Sequence, residues 1–203
     1  MKQSKKTHDI SALVLSGGQS RRMQGVDKGL VELAGKPMIQ YLLDSLNSHI
    51  NNILISTNSS DPAYKNFGYP LVTDILVGSL GPLAGIHAGL QACNTQYLLV
   101  TPCDSPFLNT QLSERLIQEL IKHQKHIAVA HDGERIQNTF VLIDTQLIDS
   151  LSNYLNRGGR RLITWLKEED AIEVDCSDHK NSFTNINTTS ELETAEQILT
   201  AIK

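Results

Sequence analysis

Residues 13–28 read Leu-Val-Leu-Ser-Gly-Gly-Gln-Ser-Arg-Arg-Met-Gln-Gly-Val-Asp-Lys, and no other stretch of the chain gathers as much chemistry. The glycines at 17 and 18 let the backbone approach phosphate closely and point N–H groups at it. Arg21, Arg22 and Lys28 add fixed cations, which neutralise the charge that moves during phosphoryl or nucleotidyl transfer. An apolar run that stops at Ser16-Gly17-Gly18 and opens into a basic loop suits a nucleoside triphosphate. The loop is not a P-loop, because neither nearby lysine sits in G-x-x-x-x-G-K-[ST]. Nor is it a dinucleotide fingerprint, because G-x-G-x-x-G is absent. The plainer alternative is a surface turn that is merely glycine-rich and basic. Two arginines and a lysine within ten residues of the glycines weigh against it.

Asp104 lies in Thr101-Pro-Cys-Asp-Ser-Pro106, at the end of an apolar run. A carboxylate there suits Mg²⁺, which takes one or two carboxylates and completes its shell with water and substrate phosphates. Turn capping is the plainer role for an Asp in that place. Asp74 follows Pro70-Leu-Val-Thr73 in the same way and either contacts a ribose or base or caps a turn. Glycines at 81, 85 and 89 recur every fourth residue, so on a helix they would line one face, open to a ligand or to another backbone. Gly81 and Gly85 are the ligand candidates because N–H groups are free at a helix start; Gly89 fits packing equally well. Phe183-Thr-Asn-Ile-Asn-Thr188 reads as the end of a late strand whose alternation puts Asn185 and Asn187 on one face. Arg157-Gly-Gly-Arg160-Arg161 is a second basic turn, either solvated or an anion site for a second substrate. The seven histidines show no metal-ligand spacing and read mostly as surface residues. Cys103 reads as a buried thiol.

These residues need a frame. Apolar runs at Ile10–Leu15, Asn52–Ser56, 71–73, 97–101, Ile127–His131 and 139–143 predict strands, with helical patterns between most of them. Pro37 opens a helix running to about Asn47. Leu112, Leu116 and Leu120, with Ile117 and Ile121, share a helical face, and Leu147, Leu151 and Leu155 repeat the spacing. Thr188-x-x-Glu191 is a capping box ahead of a last helix carrying Leu192, Ala195, Leu199 and Ile202. The alternation predicts an α/β protein with a mostly parallel sheet. Ligands of such sheets bind beyond the carboxyl ends of the strands, where Ser16, Asn58, Asp74 and Asp104 all fall.

The chain has 203 residues and a formal net charge of −4, which argues against a nucleic-acid partner. Three cysteines without a C-x-x-C pair suit free thiols in a reducing compartment. No apolar run approaches the roughly 18 residues that span a membrane, and the charged start lacks an apolar stretch long enough for a signal peptide. The expectation is a cytoplasmic protein with no membrane partner, a frayed tail over 1–9 and a single domain over 10–203.

The pattern L-x-G-G-x-S-x-R-M-x-G-x-D-K-G, filled from Leu15 to Gly29, resembles that of the nucleotidyltransferases. Adding Gly81-Pro-Leu-Ala-Gly85, Pro102-Cys-Asp-Ser-Pro106, His131-Asp-Gly-Glu134 and the 183–188 motif, the resemblance narrows to the MobA-type molybdenum cofactor guanylyltransferase family. It covers nearly the whole chain after residue 9. The resemblance implies a three-layer Rossmann-like fold with a mostly parallel central sheet. It also implies transfer of GMP from GTP to the phosphate of molybdenum-molybdopterin, with pyrophosphate released. GTP would be bound by Leu15, Ser16, Gly17, Gly18, Lys28, Ser56, Asp74, Gly81 and Asp104, with Mg²⁺ on Asp104. Lys28, Arg22 and Asp104 would carry the catalysis, and Asn185, Asn187 and Arg160 would lie on the pterin side. Ser16 stands where the family usually has Ala, Gln24 where it commonly has Gly, and Ser56 where it often has Asn. The implied attacking phosphate has a second pKa of about 6, so no general base is required. Three other readings stay open here: a cytidylyltransferase for the same pterin, a sugar-phosphate nucleotidyltransferase, or a GTP-binding protein that delivers a cofactor. Transient contact with cofactor insertion proteins and molybdoenzymes follows from the resemblance alone.

Overall fold

The computed structural model describes residues 9–16, 27–74 and 81–201. Along the first strand, β1 (Ile10–Leu15), Ala12 and Val14 enter one apolar cluster and Leu13 another. That is the two-residue period of a strand, and both faces are apolar because helices cover both. A 3₁₀ turn (Lys28–Leu30) and a short hairpin, β2 (Glu32–Leu33) and β3 (Lys36–Pro37), lead into α1 (Met38–Asn47), with Pro37 at its N-cap. The chain continues through β4 (Asn52–Ser56), α2 (Ala63–Asn66), β5 (Leu71–Val72), α3 (Pro82–Ala92) and β6 (Tyr97–Pro102). There follow α4 (Leu112–Lys122), β7 (Ile127–His131), β8 (Ile136–Asp144), α5 (Ile148–Asn156), α6 (Leu162–Glu168), β9 (Ile172–Asp175) and α7 (Thr189–Ala201).

Seven strands form one sheet in the order β5-β4-β1-β6-β8-β7-β9. All neighbouring pairs are parallel except those of β8, which runs antiparallel to both β6 and β7. From β1 the chain winds outward to β4 and β5, then returns through α3 to pair β6 on the other side of β1. The order therefore reverses between β4 and β6, around β1, and such a switch point opens a crevice at the carboxyl ends. Helices α1 and α4 pack on one face through Leu42, Leu46, Leu116 and Ile117. On the other face α3, α5 and α6 pack through Leu83, Ile86, Leu151 and Trp165. A small third cluster of Leu33, Met38, Ile186 and Ala195 fastens α7 to the hairpin.

Several expectations change in detail. The strand expected at 139–143 extends over Ile136–Asp144, and β9 and the β2–β3 hairpin were not foreseen. Ile121 does not share the buried face of α4: it is 48% exposed. The 183–188 motif does not form the expected strand. Ser177–Phe183 is a 3₁₀ segment and 184–188 has no regular structure, because its backbone bonds go to a loop rather than to a neighbouring strand. Residues 1–8 of the expected tail lie outside the described residues, and the Asp9 carbonyl accepts the Tyr97 N–H at 3.1 Å. The capping box forms: Thr188 N–H donates to Glu191 Oε2 at 2.9 Å and Glu191 N–H to Thr188 Oγ1 at 3.2 Å.

Candidate active site

The carboxyl ends of β1 and β6 hold each other beyond the sheet. Cys103 N–H donates to the Leu15 carbonyl at 3.0 Å, and Ser16 N–H donates to the Ser56 carbonyl at 2.7 Å. Leu15, Ser16 and Ser56 are thereby set side by side, and Asp104 follows one residue beyond the Cys103 bond. Ser16 Oγ lies 2.7 Å from Tyr64 Oη, a buried hydrogen bond that fixes the chain as it leaves β1. Gly29 fits under this pair because a Cβ there would sit 2.6 Å from Ser16 Oγ. Gly29 closes the loop pattern that runs from Leu15, whereas Tyr64 carried no local signal that marked it as part of the site.

Three segments converge here. Lys28 Nζ, from the 3₁₀ turn, donates to Asp104 Oδ2 at 3.0 Å and also to Asn187 Oδ1. Ser105 Oγ donates to Asn185 Oδ1 at 2.6 Å, and Ile186 N–H donates to the Asp104 carbonyl at 2.9 Å. Alternation along 185–187 therefore holds even without a strand: both asparagines face the site and Ile186 is buried in the third cluster. The sequence showed the two asparagines as a pair, but not that Lys28 and Ser105 would take one each.

Asp104 is 8% exposed, and among the described residues its Oδ1 is buried without a hydrogen-bond partner. A buried carboxylate oxygen left unpaired is costly unless something fills the place. One carboxylate with an unpaired oxygen suits Mg²⁺, which takes one or two carboxylates and draws most of its remaining shell from water and phosphate. No group of three or more His, Cys, Asp or Glu able to hold a metal occurs among the described residues. Cys103 is no nucleophile: burial, with the Asp104 charge beside it, pushes its thiol up to about 12.

At the end of β4, Asn58 Nδ2 donates to Asp74 Oδ2 at 2.6 Å, and Asp74 N–H donates back to Asn58 Oδ1 at 3.0 Å. Asp74 is half-buried and held by Asn58. Gly81 stands at the N-cap of α3 with φ of +58° and open space around it. Gly85 faces the sheet. A Cβ there would sit 2.5 Å from Ser56 Oγ and 2.9 Å from Leu15 Cδ2, so its missing side chain lets α3 pack on the sheet. Gly89 does the same against Leu13. His87, on this helix, is 5% exposed and pairs with Ser152 Oγ at 2.9 Å, a buried exception among the histidines.

Arg160 is exposed, and its Nη1 donates to the carbonyls of Leu155 at 3.0 Å and Gly159 at 2.6 Å, closing the end of α5. Arg157 pairs with Glu168 and lies 5.1 Å over the Tyr154 ring. These contacts give the second basic turn a structural occupation, and none of them joins it to Asn185 or Asn187. Gly17, Gly18, Arg21 and Arg22 lie outside the described residues.

A mostly parallel sheet with a lysine–carboxylate pair at its switch point defines a nucleotide-handling α/β protein. The fold is shared with a molybdopterin-guanine dinucleotide biosynthesis protein A from Archaeoglobus fulgidus, at a TM-score of 0.77 and 24% identity, covering 94% of this chain and 99% of that one. The model of the MobA-like NTP transferase domain matches residues 12–171. A molybdenum cofactor guanylyltransferase from Shewanella sediminis is 41% identical over 179 residues, 88% of this chain and 91% of that protein. One from Ralstonia nicotianae is 42% identical over 195 residues, 92% and 95% of the two chains. The chain belongs to the MobA-like NTP transferase family, with the molybdenum cofactor guanylyltransferases as its relatives.

Proposed function

We propose that this chain transfers GMP from GTP to the terminal phosphate of molybdenum-molybdopterin, forming the guanine dinucleotide cofactor and releasing pyrophosphate. The meeting of Lys28, Asp104 and Asn187 at the β1–β6 edge carries this reading. Relatives more than 40% identical over most of the chain supply the choice of base and acceptor.

The task is to bring two anions together. The pterin phosphate attacks the α-phosphorus of GTP in line, and the bond from that phosphorus to the β-phosphate bridging oxygen breaks. Charge grows on the departing pyrophosphate. Lys28, held in place before substrate arrives, stabilises that charge without reorganisation, with Arg22 as a second cation. Asp104 is the residue that would hold Mg²⁺, which when bound supplies further positive charge to the phosphates. Leu15, Ser16, Gly17, Gly18, Ser56 and Gly81 form the nucleotide side, and Asp74 takes the nucleoside. Asn185 and Asn187 face the pterin, with Arg160 further out. The attacking phosphate is largely ionised at neutral pH, its second pKa being about 6, so the residues need orient it only.

We read residues 10–203 as one domain and the protein as cytoplasmic. No helix among the described residues is long and apolar enough to cross a membrane. Product handover to insertion proteins or molybdoenzymes would require a transient contact. The test supplies the purified chain with Mg²⁺, molybdenum-molybdopterin and each nucleoside triphosphate in turn. Pyrophosphate and a guanine dinucleotide product with GTP alone are expected. Turnover with CTP instead identifies a cytidylyltransferase, and GTP binding without turnover identifies a delivery protein.

A further inference from the structure

Building on the guanylyltransferase reading, we propose that Glu191 is a positioning residue of the transfer reaction. Its carboxylate fixes Asn187, and through Asn187 the Lys28 ammonium, at Asp104. A capping box needs two bonds, one from the N-cap N–H to the Glu side chain and one from the Glu N–H back to the N-cap side chain. Both are present between Thr188 and Glu191. The same oxygen, Glu191 Oε2, takes a second N–H, that of Asn187, at 2.7 Å. This bond lies outside the box and is the shortest of the three. It holds the backbone of the residue whose side-chain Oδ1 accepts from Lys28 Nζ, which in turn donates to Asp104 Oδ2 at 3.0 Å.

The 184–188 segment belongs to no strand. It is anchored by the Thr184 N–H on the Asn181 carbonyl, the Ile186 N–H on the Asp104 carbonyl, Ser105 on Asn185, Lys28 on Asn187, the Leu192 N–H on the Thr188 carbonyl and the Glu191 carboxylate beneath Asn187 and Thr188. Removing the Glu191 carboxylate takes away the acceptor of the Asn187 and Thr188 N–H groups, while the Thr188 carbonyl still accepts the Leu192 N–H at 3.0 Å and Lys28 still donates to Asn187 Oδ1. The body of α7 has separate moorings: Ala195 is buried with Leu33 and Met38, and Glu196 Oε1 accepts the Ala34 N–H at 3.0 Å. Loss of the carboxylate therefore loosens Asn187 without detaching the helix. The Asn187 N–H, opposed by burial and aided by Thr188, holds the Glu191 carboxyl below its usual range, and the Lys28 charge adds to the effect. The carboxylate thus lies within electrostatic reach of the site.

The experiment is a double-mutant cycle on kcat for guanine dinucleotide formation, with melting temperatures measured alongside. Glu191→Ala is expected to lower kcat on the order of 10-fold, since misplacing a reacting group by about 1 Å costs up to about 100-fold. In an Asn187→Ala background the same substitution should cost less than about 2-fold, because its route is already cut. Glu191→Gln, whose carbonyl oxygen accepts the same N–H groups, should stay within about 3-fold of wild type. Thr188→Ala removes the other half of the cap and leaves the Asn187 bond. It should lower the melting temperature by a few degrees and leave kcat within about 2-fold. Equal losses from Glu191→Ala in both backgrounds, a Glu191→Gln enzyme as slow as Glu191→Ala, or a Thr188→Ala enzyme equally slow would each overturn the role. A wild-type chain that forms no guanine dinucleotide overturns the guanylyltransferase reading instead, so the two failures are distinct.

Discussion

Lys28 and Asp104 lie 76 positions apart in the chain and meet at 3.0 Å across the β1–β6 edge. Their side chains are 26% and 11% exposed, so the pair is neither buried nor free in solvent. Lys28 also satisfies Asn187 Oδ1, while Asp104 Oδ1 has no partner among the described residues. The lysine thus neutralises one side of the carboxylate, while the other oxygen is buried and unpaired among the described residues. A pair arranged in this way is poised for exchange with an anionic substrate.

Lys28→Ala should therefore keep the fold and lose most turnover. Removing one preorganised cation from a transition state costs on the order of 100-fold or more. Steady-state rates and a melting curve check both halves, and full activity would take Lys28 out of the mechanism. Asp104→Asn should weaken Mn²⁺ uptake in the presence of GTP, followed by magnetic resonance of the free ion. An unchanged metal titration would remove Asp104 as the ligand.

Asn58→Ala should raise KM for GTP without changing kcat. Asn58 holds Asp74 by two hydrogen bonds, at 2.6 and 3.0 Å, and Asn58 itself is exposed, so the fold loses little when its side chain is removed. A net hydrogen bond is worth about 0.5–1.5 kcal/mol, or roughly 2- to 13-fold in affinity. Calorimetric titration with GTP is the direct measurement; an unaltered dissociation constant would mean that Asp74 does not touch the nucleoside.

The two glycines at the start of α3 should respond differently. Gly85→Ala must place a Cβ 2.5 Å from Ser56 Oγ and 2.9 Å from Leu15 Cδ2, inside a packed helix–sheet contact. Overpacking of this kind costs about 1–3 kcal/mol, and it displaces two residues of the nucleotide edge as well. Gly81→Ala meets no neighbour within 4 Å among the described residues but must hold φ of +58° with ψ of −144°, which costs a side-chain residue about 1–3 kcal/mol. Urea denaturation with and without GTP separates the cases: Gly85→Ala loses stability and affinity together, whereas the Gly81→Ala loss grows when nucleotide is bound.

Legibility in the sequence followed the range of the forces involved. The parallel half of the sheet showed through because each buried strand is a continuous apolar run, and the α7 cap showed through because four consecutive residues encode it. β9 did not, since only Ile172 and Val174 of its four residues are apolar. The direction of β8 is set by its pairing with β6 and β7, which no local pattern records. Gly85 looked like Gly81 in sequence because spacing reports a shared helical face and not what lies opposite it. The Lys28–Asn187 contact spans 159 positions and depends on the Leu33, Met38, Ile186 and Ala195 cluster, which forms only in the folded chain. The 157–161 turn has the composition of an anion site, yet carbonyl oxygens at the end of α5 take up Arg160.

Asp132 should make the fold acid-sensitive in a narrow range. It sits in the turn between β7 and β8, where its Oδ1 accepts the Glu134 and Arg135 N–H groups, each at 2.8 Å, and its Oδ2 accepts Gln137 Nε2 at 2.6 Å. Burial raises its pKa, but these donors and the nearby Arg135 charge together outweigh burial and bring it to about 2. An unfolded Asp titrates near about 3.9. The folded state therefore binds this proton more weakly. The stabilisation is complete above about pH 4 and is lost as pH falls towards about 2. Asp132→Ala, which strips three donors of their acceptor, should cost about 1–3 kcal/mol at neutral pH and flatten the dependence in that window. Urea midpoints taken from pH 6 down to about pH 2 test this. Parallel curves for the two proteins would show that the carboxylate is not what the turn depends on.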